Sequence, residues 1–247
     1  LSLSLLINLG LLIYFKYWIF ITENVMNICD YIGISYNWSF ANIILPFGIS
    51  FYTFETISYS VDVYRGEIKP ERNIVKYGVF VAFFPKLIAG PIQRAGDLLP
   101  QLSNNYNVSR SKIKLGLTRI LEGMFLKVVL ADQISIVVDD IFNVGFMHLG
   151  WLDMTTAGVL FGLQIYFDFA AYSSIAIGLA ALFGIAIPEN FNYPYSSKTF
   201  KEFWRRWHIS LSSWIRDYLY LPLYGKLSNS AGKLRGLNDG LFRNAAL

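Results

Sequence analysis

The run MTTAGVLFGLQIYFDFAAYSSIAIGLAALFGIAI, residues 154–187, has Asp168 as its sole charged side chain. Roughly 20 mostly apolar helical residues cross a hydrocarbon core about 30 Å thick. The run is therefore long enough for one tilted helix, or for two pieces broken at Asp168-Phe169-Ala170. Four further apolar stretches accompany it. Residues 1–21 contain Lys16, with Tyr14, Tyr17 and Trp18 suited to a membrane interface; residues 40–64 contain Glu55 and Asp62. Residues 74–92 are broken by Pro85, Lys86, Gly90 and Pro91, and residues 115–142 contain Glu122, Lys127 and Asp132. The pattern predicts an all-α membrane protein, a multi-pass helical bundle.

Composition points the same way. Of 247 residues, 54% are hydrophobic, 17% aromatic and only 15% charged, against about 25% charged in a soluble domain. So few charges do not cover a water-facing surface. Abundant Leu, Ile, Val and Phe exclude disorder, and a single cysteine, Cys29, excludes an intrachain disulfide. The net charge of +4 is spread over separate loops, so it makes no nucleic-acid-binding face. The chain opens Leu1-Ser2-Leu3 without a methionine and stops at Asn244-Ala245-Ala246-Leu247, which reads as a fragment of a longer protein. The apolar opening lacks a small-residue cleavage site and reads as a spanning helix, not a signal peptide. No repeat or low-complexity tract is present, and residues 1–247 read as a single membrane domain.

Basic residues orient the spans. They cluster at Arg65, Lys69, Arg72 and Lys76, at Arg110, Lys112, Lys114 and Arg119, and at Lys198, Lys201, Arg205 and Arg206. Residues 22–38 and 143–153 hold no Lys or Arg. The three basic segments are thus cytoplasmic and the two neutral ones face outward. Residues 74–93 then have cytoplasmic charge on both sides, which a single crossing does not satisfy, so they read as a re-entrant segment. Irregular backbone at membrane depth is tolerated where protein buries it or where it lines a cavity.

From Lys198 the period changes. Phe200, Phe203, Trp204, Trp207, Leu211, Trp214, Ile215 and Tyr218 recur at spacings of three and four, alternating with Lys201, Arg205, His208, Ser212 and Arg216. That is a cytoplasmic amphipathic helix, capped by Ser196 or Ser197 and ended by Pro222 and Gly225.

Several residues in this frame carry chemistry. Histidine is the side chain that titrates nearest neutral pH, so His208 suits a general base; spacing alone favours instead a polar stripe on lipid headgroups, with Arg205 and Arg206 on phosphates. His148, in the neutral connection at 143–153, reads as a surface histidine. Asp168 inside an apolar run either handles substrate or protons, or pairs with a Tyr, Asn or Lys of another helix. Glu55, Glu122 and Lys127 lean toward structural pairing. In the re-entrant segment, Lys86 and Arg94 suit an anionic group such as a phosphate, and Gly90 admits close approach to the backbone; the other reading is a kinked helix with a snorkelling Arg. No metal-ligand cluster, phosphate-cradling glycine loop or nucleophile elbow is present.

Three runs resemble the membrane-bound O-acyltransferase family, in its bacterial alginate O-acetylase branch: FGISFYTF (47–54) with YSVDVYRG (59–66), FPKLIAGPIQR (84–94), and FWRRWHISLSSW (203–214) with RDYLY (216–220). QIYFDF (164–169) and PENF (188–191) are similar to it as well. The resemblance implies a multi-pass enzyme of the bacterial inner membrane with a central funnel. It would move an acetyl group from acetyl-CoA or an acyl-carrier thioester, a substrate and not a bound cofactor, toward hydroxyls of an exported polysaccharide, with periplasmic acetyltransferase partners completing the transfer. His208 matches one of the branch's two functional histidines. The other belongs to an apolar segment beyond Tyr224-Gly225, which implies that this piece alone is inactive. Ser174 stands where related sequences often have an acidic residue. On this resemblance His208 is catalytic together with that other histidine, which the family treats as the principal one, while Lys86, Gly90, Arg94, Asp168, Arg205 and Arg206 bind donor or substrate. A multi-pass transporter would also use broken helices and buried carboxylates, but it expects two similar halves. A non-catalytic membrane platform for periplasmic acetylation partners is the third reading.

Overall fold

The structure is a computed structural model that describes residues 1–34, 44–88, 90–103, 108–143 and 149–225. The start of the 40–64 stretch, parts of both neutral connections and His148 lie outside the described residues. The described chain is helical throughout. Helix α1 (Ser2–Leu12), a π-turn (Ile13–Tyr17) and α2 (Trp18–Tyr31) form one rod. Most of its side chains are exposed, as expected of a helix whose apolar surface meets lipid. Helix α3 (Ile49–Arg65) lies against it, with Ser4 and Ser60 hydroxyls 2.7 Å apart. Helix α4 (Ile74–Val81) starts at Asn73, whose side chain accepts from the Val75 and Lys76 N–H groups. A 3₁₀ turn (Phe84–Lys86) and an irregular stretch lead to α5 (Ala95–Gln101).

Helix α6 (Arg110–Met124) runs through a π-turn (Phe125–Ala131) into α7 (Asp132–Asn143), and α8 (Trp151–Leu182) packs back along them. The α6–α8 crossing is close because small residues face each other: a Cβ on Gly178 would stand 2.6 Å from the Gly116 carbonyl oxygen. Lipid gives helices no hydrophobic reason to associate, so small residues and van der Waals contact have to hold them together. After α8 the chain runs through residues 183–199, then forms α9 (Phe200–Arg206), α10 (Ile209–Ile215) and a third π-turn (Arg216–Tyr220).

Among the described residues, two helices are long and apolar enough to cross a membrane, Ser2–Tyr31 and Trp151–Leu182. Three expectations need correction. The 154–187 run is one unbroken helix that stops at Leu182, because Gly184 takes up a left-handed φ of 75° and ends it. The amphipathic pattern from Lys198 is two helices, broken at Trp207-His208 and capped by Thr199. Pro222 does not end the second, since helical backbone continues to residue 225.

Residues 90–93 of the irregular stretch are buried, and α3 supplies partners for two of its polar groups, while the Gln93 carboxamide has none among the described residues. Gln93 is 0% exposed and Lys86 2%. The Glu55 carboxylate of α3 accepts from the Lys86 ammonium through one oxygen and from the Gln93 N–H, at 3.0 Å, through the other. The ammonium also stands 4.8 Å above the Phe80 ring. Trp214 donates its indole N–H to the Phe54 carbonyl at 2.9 Å, tying α10 to the same helix.

Two outcomes follow for the full-length protein in detergent. Gly178→Val forces α6 and α8 apart and lowers stability by about 1–3 kcal/mol, seen as a lower thermal midpoint. Lys86→Met leaves a buried carboxylate unpaired and costs about 3–5 kcal/mol, whereas the double change Glu55→Leu with Lys86→Met recovers most of it. A double variant no more stable than Lys86→Met would contradict the pairing.

Candidate active site

The break between α9 and α10 is built by specific bonds. Helix α9 begins where Thr199 Oγ1 accepts from the Glu202 N–H at 3.2 Å, and the Glu202 carboxylate accepts from the Lys198 N–H at 2.9 Å. The bond from the Lys198 N–H, with the Arg206 guanidinium beside it, holds the Glu202 carboxyl below its usual range. The helix then stops. His208 adopts φ 43° and ψ 56°, a left-handed conformation that costs an ordinary residue about 1–2 kcal/mol. Two backbone bonds clamp it in place: the Asn192 N–H donates to the Arg206 carbonyl at 3.0 Å, and the Ile209 N–H to the Asn190 carbonyl at 2.9 Å. Strained backbone held by its surroundings is a mark of functional sites.

The His208 imidazole lies edge-on to Phe169 of α8, with ring centroids 4.7 Å apart, and near Phe191 of the loop. Its Nδ1 is 3.0 Å from Asn190 Oδ1. Among the described residues, Nε2 has no hydrogen-bond partner. Burial between the two rings pushes the imidazole pKa down to about 4, so the ring is neutral at pH 7. Asn190 is 0% exposed and sits at the centre of a polar cluster. Its Oδ1 also accepts from Ser210 Oγ at 2.9 Å, its Nδ2 donates to Ser173 Oγ at 3.2 Å, and Ser210 Oγ accepts from the Ile92 N–H at 3.0 Å. The irregular stretch, α8, the loop and α10 therefore meet at His208. A cavity of about 370 Å³ opens beside this cluster, walled by Ser173, Asn190, Ile209, Tyr166, Arg119 and Glu122 among others.

The other expected site residues are distributed differently. Lys86 faces Glu55 in a buried ion pair and no open surface, so its charge is already used. Gly90 does permit a close approach, but to its own chain: an added Cβ would stand 2.4 Å from Lys86 Cα. Arg94 donates to Asp217 at 3.0 Å and stacks 4.4 Å over the Tyr218 ring, whose hydroxyl donates to the Asp62 carboxylate. The cleft beside Arg94 is walled by Asp62, Glu67, Asp97 and Asp217 as well as Arg65, a carboxylate majority that repels phosphate. Asp168 accepts from Lys127 at 2.6 Å, and the same ammonium reaches Asp132 at 2.9 Å. That is the helix-to-helix pairing of the two readings. The Arg205-Arg206 pair is split: Arg206 bonds Glu202 and Ser196, while Arg205 lines a small cleft with Trp204, Ser212, Ser213 and Arg216. Ser174 donates to the Arg119 carbonyl at 3.0 Å.

Asn190, Ser210 and Ser173 are the functional neighbours that sequence reasoning passes over. The signal is in PENF (188–191), a short motif just past a long helix, but nothing local marks Asn190, which follows the charged Glu189, as buried.

The comparisons with known proteins bear on the same region. The family model described as MBOAT, membrane-bound O-acyltransferase family, matches residues 71–237, which include His208 and the buried irregular stretch. "Probable alginate O-acetylase AlgI" of Azotobacter vinelandii is 42% identical over 237 residues, covering 96% of this chain and 47% of that protein. The peptidoglycan O-acetyltransferase of Helicobacter pylori is 34% identical over 91% of this chain and 46% of its own length. The teichoic acid D-alanyltransferase of Bacillus subtilis is 31% identical over 73% of this chain and 46% of its own. The chain thus spans about half the length of the curated relatives it matches. A match over most of the chain, through the strained histidine and the segment beneath it, places the chain in the membrane-bound O-acyltransferase family.

Proposed function

We propose that the protein to which this chain belongs is a multi-pass O-acyltransferase of the bacterial inner membrane. It moves an acetyl or related acyl group from a cytoplasmic thioester, acetyl-CoA or an acyl carrier, toward hydroxyls of an exported polysaccharide such as alginate. The observation that carries this reading is His208: neutral, half-buried, held by a strained backbone, with Nδ1 engaged and Nε2 without a hydrogen-bond partner among the described residues. In the reaction Nε2 takes the proton of the acceptor hydroxyl as its oxygen attacks the thioester carbonyl. The carbon–sulfur bond breaks and the thiolate leaves with the electron pair; the imidazolium then returns the proton to sulfur. The relatives named for acetylation and D-alanylation of cell-surface polymers support this reaction class.

The donor's phosphates are assigned to the cleft where Arg205 and Arg216, the latter in an exposed pair with Asp217, stand with the Ser212 and Ser213 hydroxyls, because guanidinium forks and hydroxyls suit phosphate oxygens and an exposed ion pair gives up its partner at little cost. Lys86, Gly90 and Arg94 support the floor of the site instead of touching the donor, and Asp168 locks α8 to the α6–α7 rod. Residues 74–93 enter and leave on the cytoplasmic side as a re-entrant segment, and the whole chain forms one membrane domain. Periplasmic acetyltransferase partners would carry the group to the polymer. The transporter reading is weakened by α8, which is continuous past Asp168.

Two measurements on the full-length protein in proteoliposomes test the reading. His208→Gln should lower acyl transfer by about 10²–10⁴-fold at unchanged membrane abundance; transfer within a few-fold of wild type removes His208 from catalysis. The acidic limb of kcat/KM should lie well below pH 6.5, toward about 4, because the buried ring stays unprotonated until then. A limb at the usual histidine value would mean that the acting base is exposed.

A further inference from the structure

We propose that Asn190 is a positioning residue that fixes His208 as the Nδ1–H tautomer and leaves the Nε2 lone pair for the acceptor hydroxyl. The inference rests on the base role of His208 and adds to it the group that makes the role possible. It starts from two backbone amides, which donate and never accept. The Ile92 N–H donates to Ser210 Oγ at 3.0 Å, so the Ser210 hydroxyl hydrogen is free to donate onward. It points to Asn190 Oδ1 at 2.9 Å, and the Ser210 N–H reaches the same atom at 3.3 Å. A donor faces that end of the carboxamide from the backbone, so the end must be the oxygen; the reversed amide would set N–H against N–H. The amide nitrogen correspondingly reaches Ser173 Oγ at 3.2 Å.

His208 Nδ1 stands 3.0 Å from that same oxygen. Asn190 Oδ1 carries no hydrogen, so the hydrogen between them belongs to Nδ1, and in a neutral ring Nε2 is then the unprotonated nitrogen. Asn190 is 0% exposed, so no water competes for the bond. The backbone bond from the Ile209 N–H to the Asn190 carbonyl holds the two residues at fixed separation. The imidazole is otherwise packed by Phe169 of α8 and Phe191 of the loop, and among the described residues no charged side chain bonds to it.

Asn190→Leu and Asn190→Asp in the full-length protein separate this role from plain packing. Leu removes the acceptor, frees the tautomer and should lower kcat by about 10²–10⁴-fold, the range seen when a catalytic histidine loses the group that orients it, with KM for the donor changed less than about threefold. Asp keeps an acceptor toward Nδ1 and adds a negative charge, so it should retain activity within about tenfold and move the acidic limb of kcat/KM upward. Leu activity within about threefold of wild type overturns the inference. So does an Asp variant whose acidic limb stays where wild type has it, and that readout decides the matter if the Leu variant fails to reach the membrane. His208→Gln in parallel keeps the two ideas apart: activity surviving there removes the base role itself, whereas activity lost there but kept in Asn190→Leu removes only the positioning role.

Discussion

Glu55 is a carboxylate with almost no access to water, and much of the described structure follows from what it holds. A buried charge is tolerated when it is paired and hydrogen-bonded, and Glu55 receives both the Lys86 ammonium and the Gln93 N–H. Those two donors lie at opposite ends of the irregular stretch between α4 and α5. Backbone that is neither helical nor solvated needs partners from elsewhere in the protein, and α3 provides them. The neighbouring amide, from Ile92, is satisfied by Ser210 on α10. One side chain on one helix thus sets the floor on which the histidine is assembled.

The same logic of satisfied polar groups reaches His208. The loop after α8 donates and accepts at three points, and each removes freedom from the imidazole or its backbone: the two clamping bonds at residues 206 and 209, and the Asn190 carboxamide. The left-handed φ of 43° at His208 is stable only because these bonds over-determine it. A ring pressed between Phe169 and Phe191 stays neutral, and a neutral ring with one nitrogen committed is a base with a defined direction.

Charge in this chain divides into two kinds. Pairs such as Glu55 with Lys86 and Asp168 with Lys127 join segments that lie far apart in sequence. Arg205 and Arg216 instead stand at the α9–α10 surface, with serine hydroxyls in a cleft close to the histidine, and Arg216 reaches its neighbour Asp217 at 2.7 Å in an exposed pair.

Much of this architecture is legible in the amino-acid sequence. The apolar runs and the sorting of Lys and Arg predict an all-helical membrane protein, the Pro and Gly residues at 85–91 mark the irregular stretch, and the motif around His208 singles out a histidine that the fold strains. These features are readable because periodicity, hydropathy and backbone preference are local properties. The break at Trp207-His208 is hidden by a helical period that runs through it, and only the loop at 190–192 reveals why the helix stops there. Lys86 resembles a phosphate ligand because its partner lies 31 residues away in sequence, and Asn190 looks ordinary because its burial comes from α8 and α10. The sequence by itself determined the solvent this protein folds in and the residue at its centre. Tertiary structure alone decided which charges are spent on each other and which nitrogen of His208 meets Asn190, since pairing in a water-poor interior depends on distance and no local pattern encodes it.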